Sequence, residues 1–161
     1  MIVCDSSPLI LFARIRRLDL LFELFGTPLL VEETVRKEVV DAGLKEGFAD
    51  AILLEECFKK GLIKSVKARG KKQIRGLHEG ETASIALCLK HKNSLFLADE
   101  PLAREVAKAK GITTHGTLFV LWQNAKKKKI SKKQAVNLLN KLLDAGYRLS
   151  ARHYAQFIQK T

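Results

Sequence analysis

The sequence predicts an α/β fold in which helices cover both faces of a central parallel sheet. Short apolar runs alternate with longer helical segments, and an aspartate closes two of the runs, at Asp5 and Asp99. Runs of this length are typical of buried parallel strands, and their alternation with helices indicates a three-layer α/β/α architecture. The five predicted strands cover residues 1–5, 28–31, 62–66, 95–98 and 112–114.

Local signals define the elements of the first half. Ser6, Ser7 and Pro8 follow the first strand and predict the start of a helix, because serine suits the N-cap and proline the first turn. Gly26 ends a second, short helix, and Pro28 is tolerated only because it stands at the beginning of its strand. The helices predicted here are 18–25, 32–41 with Val35, Val39 and Val40 on its apolar side, and 48–58.

The second half continues the alternation. The basic segment 67–77 lacks a periodic pattern and is predicted to be a surface loop. Gly111 ends one of the later helices, and Ser131 and Ser150 are expected to cap the last two. The helices predicted here are 80–90, 101–110, 118–125, one from Ser131 to Gly146, and one from Ser150 through residue 158. The chain is therefore expected to be one domain, 1–161, in which residues 131–161 form a helical C-terminal extension.

The charge of the chain favours a polyanionic partner. Among 161 residues there are 29 Lys and Arg against 17 Asp and Glu, which gives a formal net charge of +12. An excess of this size is typical of proteins that bind nucleic acid or acidic protein segments. A basic protein without such a partner is the alternative that composition leaves open.

The cysteines and the apolar runs exclude several classes of protein. Cys4, Cys57 and Cys88 are odd in number and form no close pair, which argues against a disulfide framework or a cysteine zinc site. Each lies in an apolar run, so buried, inert thiols are expected. No signal peptide and no membrane-spanning stretch is apparent, and a cytoplasmic location is expected.

Two aspartates are the first candidates for a functional site. Asp5 and Asp99 each follow a predicted strand, and ligands of parallel sheets bind just beyond the carboxyl ends of strands. Each residue could instead cap the helix that follows it. Glu100, next to Asp99, is an alternative ligand, although an acid there could simply favour the helix dipole.

Two glutamates extend the candidate set. Glu38 lies in the helix after the second strand, and Glu81 lies in the first turn of the helix before the fourth strand. Taken alone, Glu38 is better explained by a solvated helix face, and Glu81 by the frequency of acids in first helical turns. The neighbouring acids that compete for the same roles are Glu32, Glu33 and Glu79.

Taken together, the acids and their order resemble the PIN-domain family. The opening IVCDSSPLI carries the resemblance best, and GETASIALCLKHKNSLFLADE is similar to the second half of the family pattern. The closing segments HGTLFVLW and AGYRLS resemble a VapC-like prokaryotic subgroup. The resemblance implies five parallel strands in the order 3-2-1-4-5, so that strands one and four lie side by side where the sheet reverses direction.

The resemblance also implies a function, that of an Mg²⁺- or Mn²⁺-dependent ribonuclease. By position, Asp5, Glu38, Glu81 and Asp99 are the catalytic and metal-binding acids, and Ser6 is the small hydroxyl residue that contacts substrate. The sequence departs from the family at Glu81, where aspartate is common, and at Leu97, where threonine is common. The implied partners are RNA, an antitoxin protein and a second copy of the chain.

The implied chemistry explains why acids would be gathered together. At an effective dielectric of about 20, two like charges about 4 Å apart repel by about 4 kcal/mol, so a cluster persists when a cation neutralises it or when some of the acids stay protonated. A bound Mg²⁺ or Mn²⁺ would lower the pKa of a water and screen the phosphodiester. Histidine is not required, and His78, His91, His115 and His153 are interpreted as surface or structural residues. The candidate RNA-binding residues are Arg14, Arg16, Arg17, the run 67–75 and the run 126–129.

Three other functions compete with this interpretation. The nearest is a catalytically inactive PIN-fold module that binds RNA or protein. A phosphoacceptor receiver domain would need an aspartate after the third strand, where the sequence has Val66 and Lys67. A nucleotide-binding domain would need a glycine-rich loop after the first strand, and none is present.

Overall fold

The protein has a five-stranded, all-parallel sheet in a computed structural model that describes residues 1–70 and 72–160. The strand order is β3-β2-β1-β4-β5, as expected from the resemblance. The strands are β1 (Ile2–Cys4), β2 (Leu29–Glu32), β3 (Ile63–Val66), β4 (Leu95–Leu97) and β5 (Thr113–His115). The predicted strands are confirmed, with no end shifted by more than one residue.

The helices of the described residues lie between these strands, and the last three of them follow the final strand. They are α1 (Ser6–Arg14), α2 (Asp19–Phe25), α3 (Glu33–Arg36), a π-helical segment (Lys37–Ala42), α4 (Gly43–Lys45), α5 (Ala49–Lys59), α6 (Glu79–Leu89), α7 (Pro101–Ala109), α8 (Thr117–Lys126), α9 (Lys132–Asp144) and α10 (Ala151–Lys160). None of these helices combines the length and the apolar character needed to cross a membrane.

Alternate residues of the central strands supply two hydrophobic cores, one on each face of the sheet. Cys4 of β1 and Leu97 of β4 belong to the core shared with α1, α2, α5, α8 and α9. Val3 and Phe96, their neighbours in the strands, belong to the core shared with α6 and α7. Because successive side chains of a strand point to opposite faces, these short apolar strands are buried on both sides. This is the three-layer arrangement that the apolar runs predict.

The helix predicted over 32–41 is only partly correct. Val35, Val39 and Val40 are buried, as the amphipathic pattern requires. The backbone, however, is α-helical only from Glu33 to Arg36 and is π-helical from Lys37 to Ala42. A π-helical turn adds a residue per hydrogen-bonded ring and rotates the side chains that follow. Hydrophobic spacing does not reveal such a turn.

The first helix also differs from prediction at its N-cap. Asp5, not a serine, occupies the N-cap position of α1, and its side chain makes no capping hydrogen bond. Ser6 and Ser7 instead lie in the first turn. The carboxylate of Asp5 therefore does not cap α1, although it does interact with the backbone N–H of Ser6. The predicted caps at the other end of the chain are confirmed: Ser131 accepts the N–H of Gln134, and Ser150 accepts the N–H of His153.

The segment predicted as a loop, 67–77, has no helix or strand among its described residues; Lys71 lies outside them. It is held to the sheet by the buried side chain of Glu32. Glu32 Oε1 accepts the N–H of Ala68 at 3.1 Å, and Oε2 accepts the N–H of Thr34 at 2.6 Å. Glu32, which competed with Glu38 as a site acid, therefore has a structural role.

The cysteines are free, as predicted. Cys4 and Cys88 are buried, and burial raises the pKa of both thiols, that of Cys88 to about 12. Cys57 is only partly buried, so the expectation of three buried thiols is wrong for this residue.

Candidate active site

The carboxyl ends of β1, β4 and β5 meet at one edge of the sheet. Cys4 pairs with Leu97, and Leu97 pairs with His115, so the residues that follow these strands lie side by side. The N–H of Asp5 donates to the carbonyl of Leu97, and the N–H of Ala98 donates to that of His115, which extends the ladder past the strand ends. A cavity of about 900 Å³ opens at this edge, and its walls include Asp5, Glu81 and Asp99.

Asp5 is the most deeply buried acid of this cavity, with 4% of its surface exposed. Burial is the largest of the causes that together raise its pKa to about 7; the backbone N–H of Ser6 opposes the rise, and the charges of Glu81, Glu38 and Asp99 add to it in that order. Three of the four predicted acids therefore act electrostatically on the remaining one. Asp5 is the centre of the acidic set.

Asp99 is oriented by hydrogen bonds from two other elements. Its Oδ1 accepts the N–H of Thr117 at 2.8 Å, and its Oδ2 accepts the hydroxyls of Thr117 at 2.7 Å and of Ser7 at 3.2 Å. Thr117 begins α8, so Asp99 faces the N-terminus of α8 and does not cap α7. The N-cap position of α7 belongs to Glu100, whose exposed side chain makes no capping bond and also lines the cavity.

Glu81 combines a local and a long-range role. Its Oε2 accepts the N–H of His78 at 2.8 Å, which satisfies a backbone donor at the start of α6. The residue is buried, with 7% of its surface exposed, and it lies in the wall of the cavity that contains Asp5. The capping interpretation and the site interpretation are thus compatible.

Glu38 lies at the margin of the acidic set. It is exposed, it belongs to the π-helical segment, and it is absent from the described cavity wall. Its Oε2 would lie 3.5 Å from a Cβ placed on Gly80, the neighbour of Glu81. The structure brings Glu38 to the side of α6 and within electrostatic range of Asp5, but not into the cavity.

The two serines after Asp5 have different surroundings. Ser7, which the sequence did not single out as a site residue, donates to Asp99. Ser6, the predicted substrate-binding residue, lies in the cavity wall beside Asp5. Among the described residues, the hydroxyl of Ser6 has no hydrogen-bond partner.

The donor set suits a hard divalent cation that keeps much of its hydration. Across residues 1–70 and 72–160, no three His, Cys, Asp or Glu side chains form a ready-made metal cage. Mg²⁺ is commonly held by one or two carboxylates while water fills its other positions. In the same part of the chain, no lysine or arginine forms a salt bridge with Asp5, Glu38, Glu81 or Asp99. The oxygen donors and their uncompensated charge therefore fit such an ion.

Basic side chains also line the cavity, and we call them the basic wall. Arg104 and Lys108 lie one turn apart on α7, and Arg14 and Arg148 approach from α1 and from the segment after α9. Arg104 Nη1 lies 2.7 Å from the position that a Cβ on Gly116 would take, next to Asp99. Sequence interpretation missed Arg104, Lys108 and Arg148. The spacing of four between Arg104 and Lys108, on a helix that begins just after Asp99, was an available signal.

Of the predicted RNA-binding residues that the structure describes, only Arg14 lines the cavity. Arg17 is engaged by Asp19 in a paired hydrogen bond. Arg16 is exposed in the turn after α1. Lys126 and its neighbours lie at the far end of α8 from Asp99, and the run 67–75 includes Lys71, which lies outside the described residues.

The C-terminal extension closes one side of the cavity. Arg14 Nη1 donates to the carbonyl of Ala145 at 3.1 Å, and Tyr147 lines the cavity. Burial raises the pKa of Tyr147 to about 12, with Asp99 adding to the rise, while the backbone N–H of Leu118 and the charge of Arg104 oppose it. His115 and His153 also line the cavity, so their interpretation as surface or structural residues was incomplete.

Comparison with known proteins gives one result over the full sequence. A family model described as a PIN domain matches residues 1–161. No curated protein matches the chain.

Proposed function

The chain belongs to the PIN-domain family, and from this premise we propose that it is a divalent-metal-dependent endoribonuclease. PIN domains are generally nucleases that act on nucleic acids, and they generally use divalent metal ions. The proposed part is the finer assignment: RNA as the substrate, Mg²⁺ or Mn²⁺ as the ion, and Asp5, Glu38, Glu81 and Asp99 as the catalytic acids.

The observation that carries the proposal is an uncompensated acidic cluster at the switch point of the sheet. Asp5 and Asp99 follow adjacent strands, and Glu81 shares their cavity. In the part of the chain that is described, none of these carboxylates has a salt bridge. Concentrated negative charge beside a basic wall supports binding of a cation and, next to it, of a phosphodiester.

Each side chain has a distinct task in the proposed reaction. When bound, the divalent cation supplies neutralising charge to the phosphate and a water of lowered pKa. Asp5, Glu81 and Asp99 would hold it, with Glu38 acting from the margin through water. Ser7 and Thr117 keep the Asp99 carboxylate oriented, and Ser6 contacts the substrate.

In the proposed reaction the basic wall binds the substrate, and hydrolysis breaks the bond from phosphorus to O3′. Arg104 and Lys108 contact phosphate oxygens, which positions the scissile phosphorus near the acids. The water oxygen would bond to phosphorus and lose a proton to solvent as the bond from phosphorus to O3′ breaks, and O3′ would take up a proton from solvent. The products are a 5′-phosphate and a 3′-hydroxyl end.

The test is cleavage of labelled single-stranded RNA by the purified protein with Mg²⁺, Mn²⁺ or EDTA. Asp5→Asn is expected to abolish both cleavage and Mn²⁺ binding, the latter measured by titration calorimetry with the metal alone. Asp144→Asn is a matched control, because the same chemical change is made at an exposed residue at the end of α9. Cleavage that survives EDTA, or that is equal in Asp5→Asn and Asp144→Asn, would contradict the proposal.

An inactive PIN-fold module that binds RNA or protein remains the second candidate. One observation favours it: Glu38 lies outside the cavity wall, so one of the four acids that the family pattern implies does not line the cavity. The cleavage assay, with RNA binding measured beside it, separates the two candidates, since an inactive module would bind RNA without any Mn²⁺-dependent cleavage.

We also propose that the protein is a VapC-like toxin with a cognate antitoxin and that it forms a homodimer. The support is the resemblance of the segments HGTLFVLW and AGYRLS to that subgroup. Growth arrest on expression, relieved by the product of a small adjacent reading frame, tests the toxin role. Light scattering with size exclusion tests the dimer, and a monomer at all concentrations would contradict it.

A further inference from the structure

Three aromatic side chains form a row that begins in the acid-lined cavity. The ring of His115 stacks on that of Phe119, with centroids 3.5 Å apart and planes 3° apart. Trp122 follows on α8, tilted by 50° to Phe119 with centroids 6.3 Å apart. All three are partly exposed. We call His115, Phe119 and Trp122 the aromatic row.

The aromatic row connects the cavity to a second groove. His115 and Phe119 line the cavity that contains Asp5, and Phe119 and Trp122 line a shallower groove of about 220 Å³ beside α10. A strand that passes through the acidic site can therefore continue along exposed ring surface. The two sites are continuous, since Phe119 belongs to both.

Positive charge accompanies the aromatic row. The ammonium group of Lys126 lies 5.0 Å from the centre of the Trp122 ring. Arg104 and Lys108 lie in the cavity wall near His115. Aromatic rings interleaved with cations are the arrangement that holds single-stranded nucleic acid, because rings stack on bases while cations contact the backbone.

Among the described residues, stacking on Phe119 is the one aromatic contact of the His115 ring. Within residues 1–70 and 72–160, no hydrogen bond reaches its ring nitrogens. Burial and, secondarily, the charge of Lys108 lower its pKa, which favours the neutral form of the ring. A partly exposed ring at the cavity wall is suited to stack on a base.

We propose that the aromatic row is a base-stacking subsite for single-stranded RNA, with His115 holding the base nearest the scissile phosphate. The identity of the ligand as RNA rests on the proposed function. Bases of a duplex are already stacked on one another, so this subsite selects single strands. Arg104 and Lys108 would contact the phosphates between the acids and the row.

The test measures binding in EDTA, so that cleavage plays no part. Affinity for a fluorescent single-stranded oligoribonucleotide is measured by anisotropy for wild type, His115→Ala and His115→Phe. Loss of one base-stacking contact is expected to weaken binding of His115→Ala about fivefold or more, whereas His115→Phe keeps an aromatic ring and binds as wild type does. His91→Ala is the matched control, because His91 is exposed and remote from the row.

A series of oligoribonucleotides that each lack one base identifies the contact. One position is expected at which removal of the base weakens wild-type binding as much as His115→Ala does, with no further loss in the variant. Affinity unchanged in His115→Ala, equal loss in His115→Ala and His91→Ala, or equal binding of duplex and single strand would overturn the proposal. Thermal unfolding of each variant separates lost binding from lost folding.

The outcomes also separate this inference from the proposed activity. RNA bound in EDTA with the expected base dependence, but not cleaved with Mg²⁺ or Mn²⁺, supports the stacking subsite and rejects the nuclease. Metal-dependent cleavage with binding that is insensitive to His115→Ala rejects the subsite and leaves the nuclease intact.

Discussion

Comparison of two threonines near the site measures how much one hydrogen bond to Asp99 contributes to stability. Thr117 and Thr114 are both buried, with 0% and 8% of their surfaces exposed, and they are three residues apart. The hydroxyl of Thr117 donates to Asp99 Oδ2 at 2.7 Å. The hydroxyl of Thr114 is buried without a hydrogen-bond partner among the described residues. Valine has nearly the shape of threonine, so replacement changes the hydroxyl with little change in volume.

The two valine substitutions are expected to affect the free energy of unfolding differently. A hydrogen bond to a charged group is worth about 1.5–3 kcal/mol, and Asp99 keeps two other donors in Thr117→Val, so the lower value applies. Thr117→Val should therefore lower the free energy of unfolding by about 1.5 kcal/mol. For a chain of this length, that corresponds to a fall in Tm of about 3–6 °C. Thr114→Val removes an unsatisfied polar group and should be neutral or stabilising.

The assay is urea unfolding followed by circular dichroism, with the slope m compared between variants. Thr117→Ser, which keeps the hydroxyl, should regain most of the loss. If Thr117→Val were as stable as wild type, or if both valine variants lost the same amount, the argument that α8 holds Asp99 through this bond would be refuted.

Three further predictions follow from local contacts. Gly116→Ala would place a Cβ 2.9 Å from Asp99 Oδ1, which is too close, so the Asp99 carboxylate must shift and the affinity for Mn²⁺ should fall in titration calorimetry. The backbone itself is not strained by the substitution, because φ of Gly116 is −121°. Ser131→Ala removes the N-cap of α9 and should lower the free energy of unfolding by about 1 kcal/mol in urea. With iodoacetamide at about pH 8, the partly buried Cys57 should be modified before Cys88, because burial raises the pKa of Cys88 to about 12 and leaves little thiolate. Peptide mass spectrometry measures the order of modification. Equal rates for the two cysteines in the folded protein would contradict the prediction.

Much of the fold follows from the sequence because burial on both faces produces an unmistakable local pattern. Leu95–Leu97 of β4 is apolar at every position, since both neighbouring layers require apolar side chains there. Helix caps are equally local: Ser131 and Gln134 satisfy each other's backbone donors within four residues. Interactions of this short range depend only on residues close together in the sequence, so they can be predicted from it.

The π-helical turn at Lys37–Ala42 could not be predicted in this way. The apolar spacing of Val35, Val39 and Val40 is compatible with an α-helix. This segment packs against α1 and α5, and Glu38 remains exposed beside α6. The position of Glu38 outside the cavity is therefore a tertiary result.

The sequence alone determined which acids are candidates, because strand ends and first helical turns can be recognised locally. Only the tertiary structure decided their partners: Thr117 and Ser7 for Asp99, and the burial that raises the pKa of Asp5 to about 7. The same holds for Arg104, Lys108 and the stacked His115 and Phe119, which face the acids from other elements. Contacts between elements depend on how whole layers pack, and no local pattern in the chain encodes that packing.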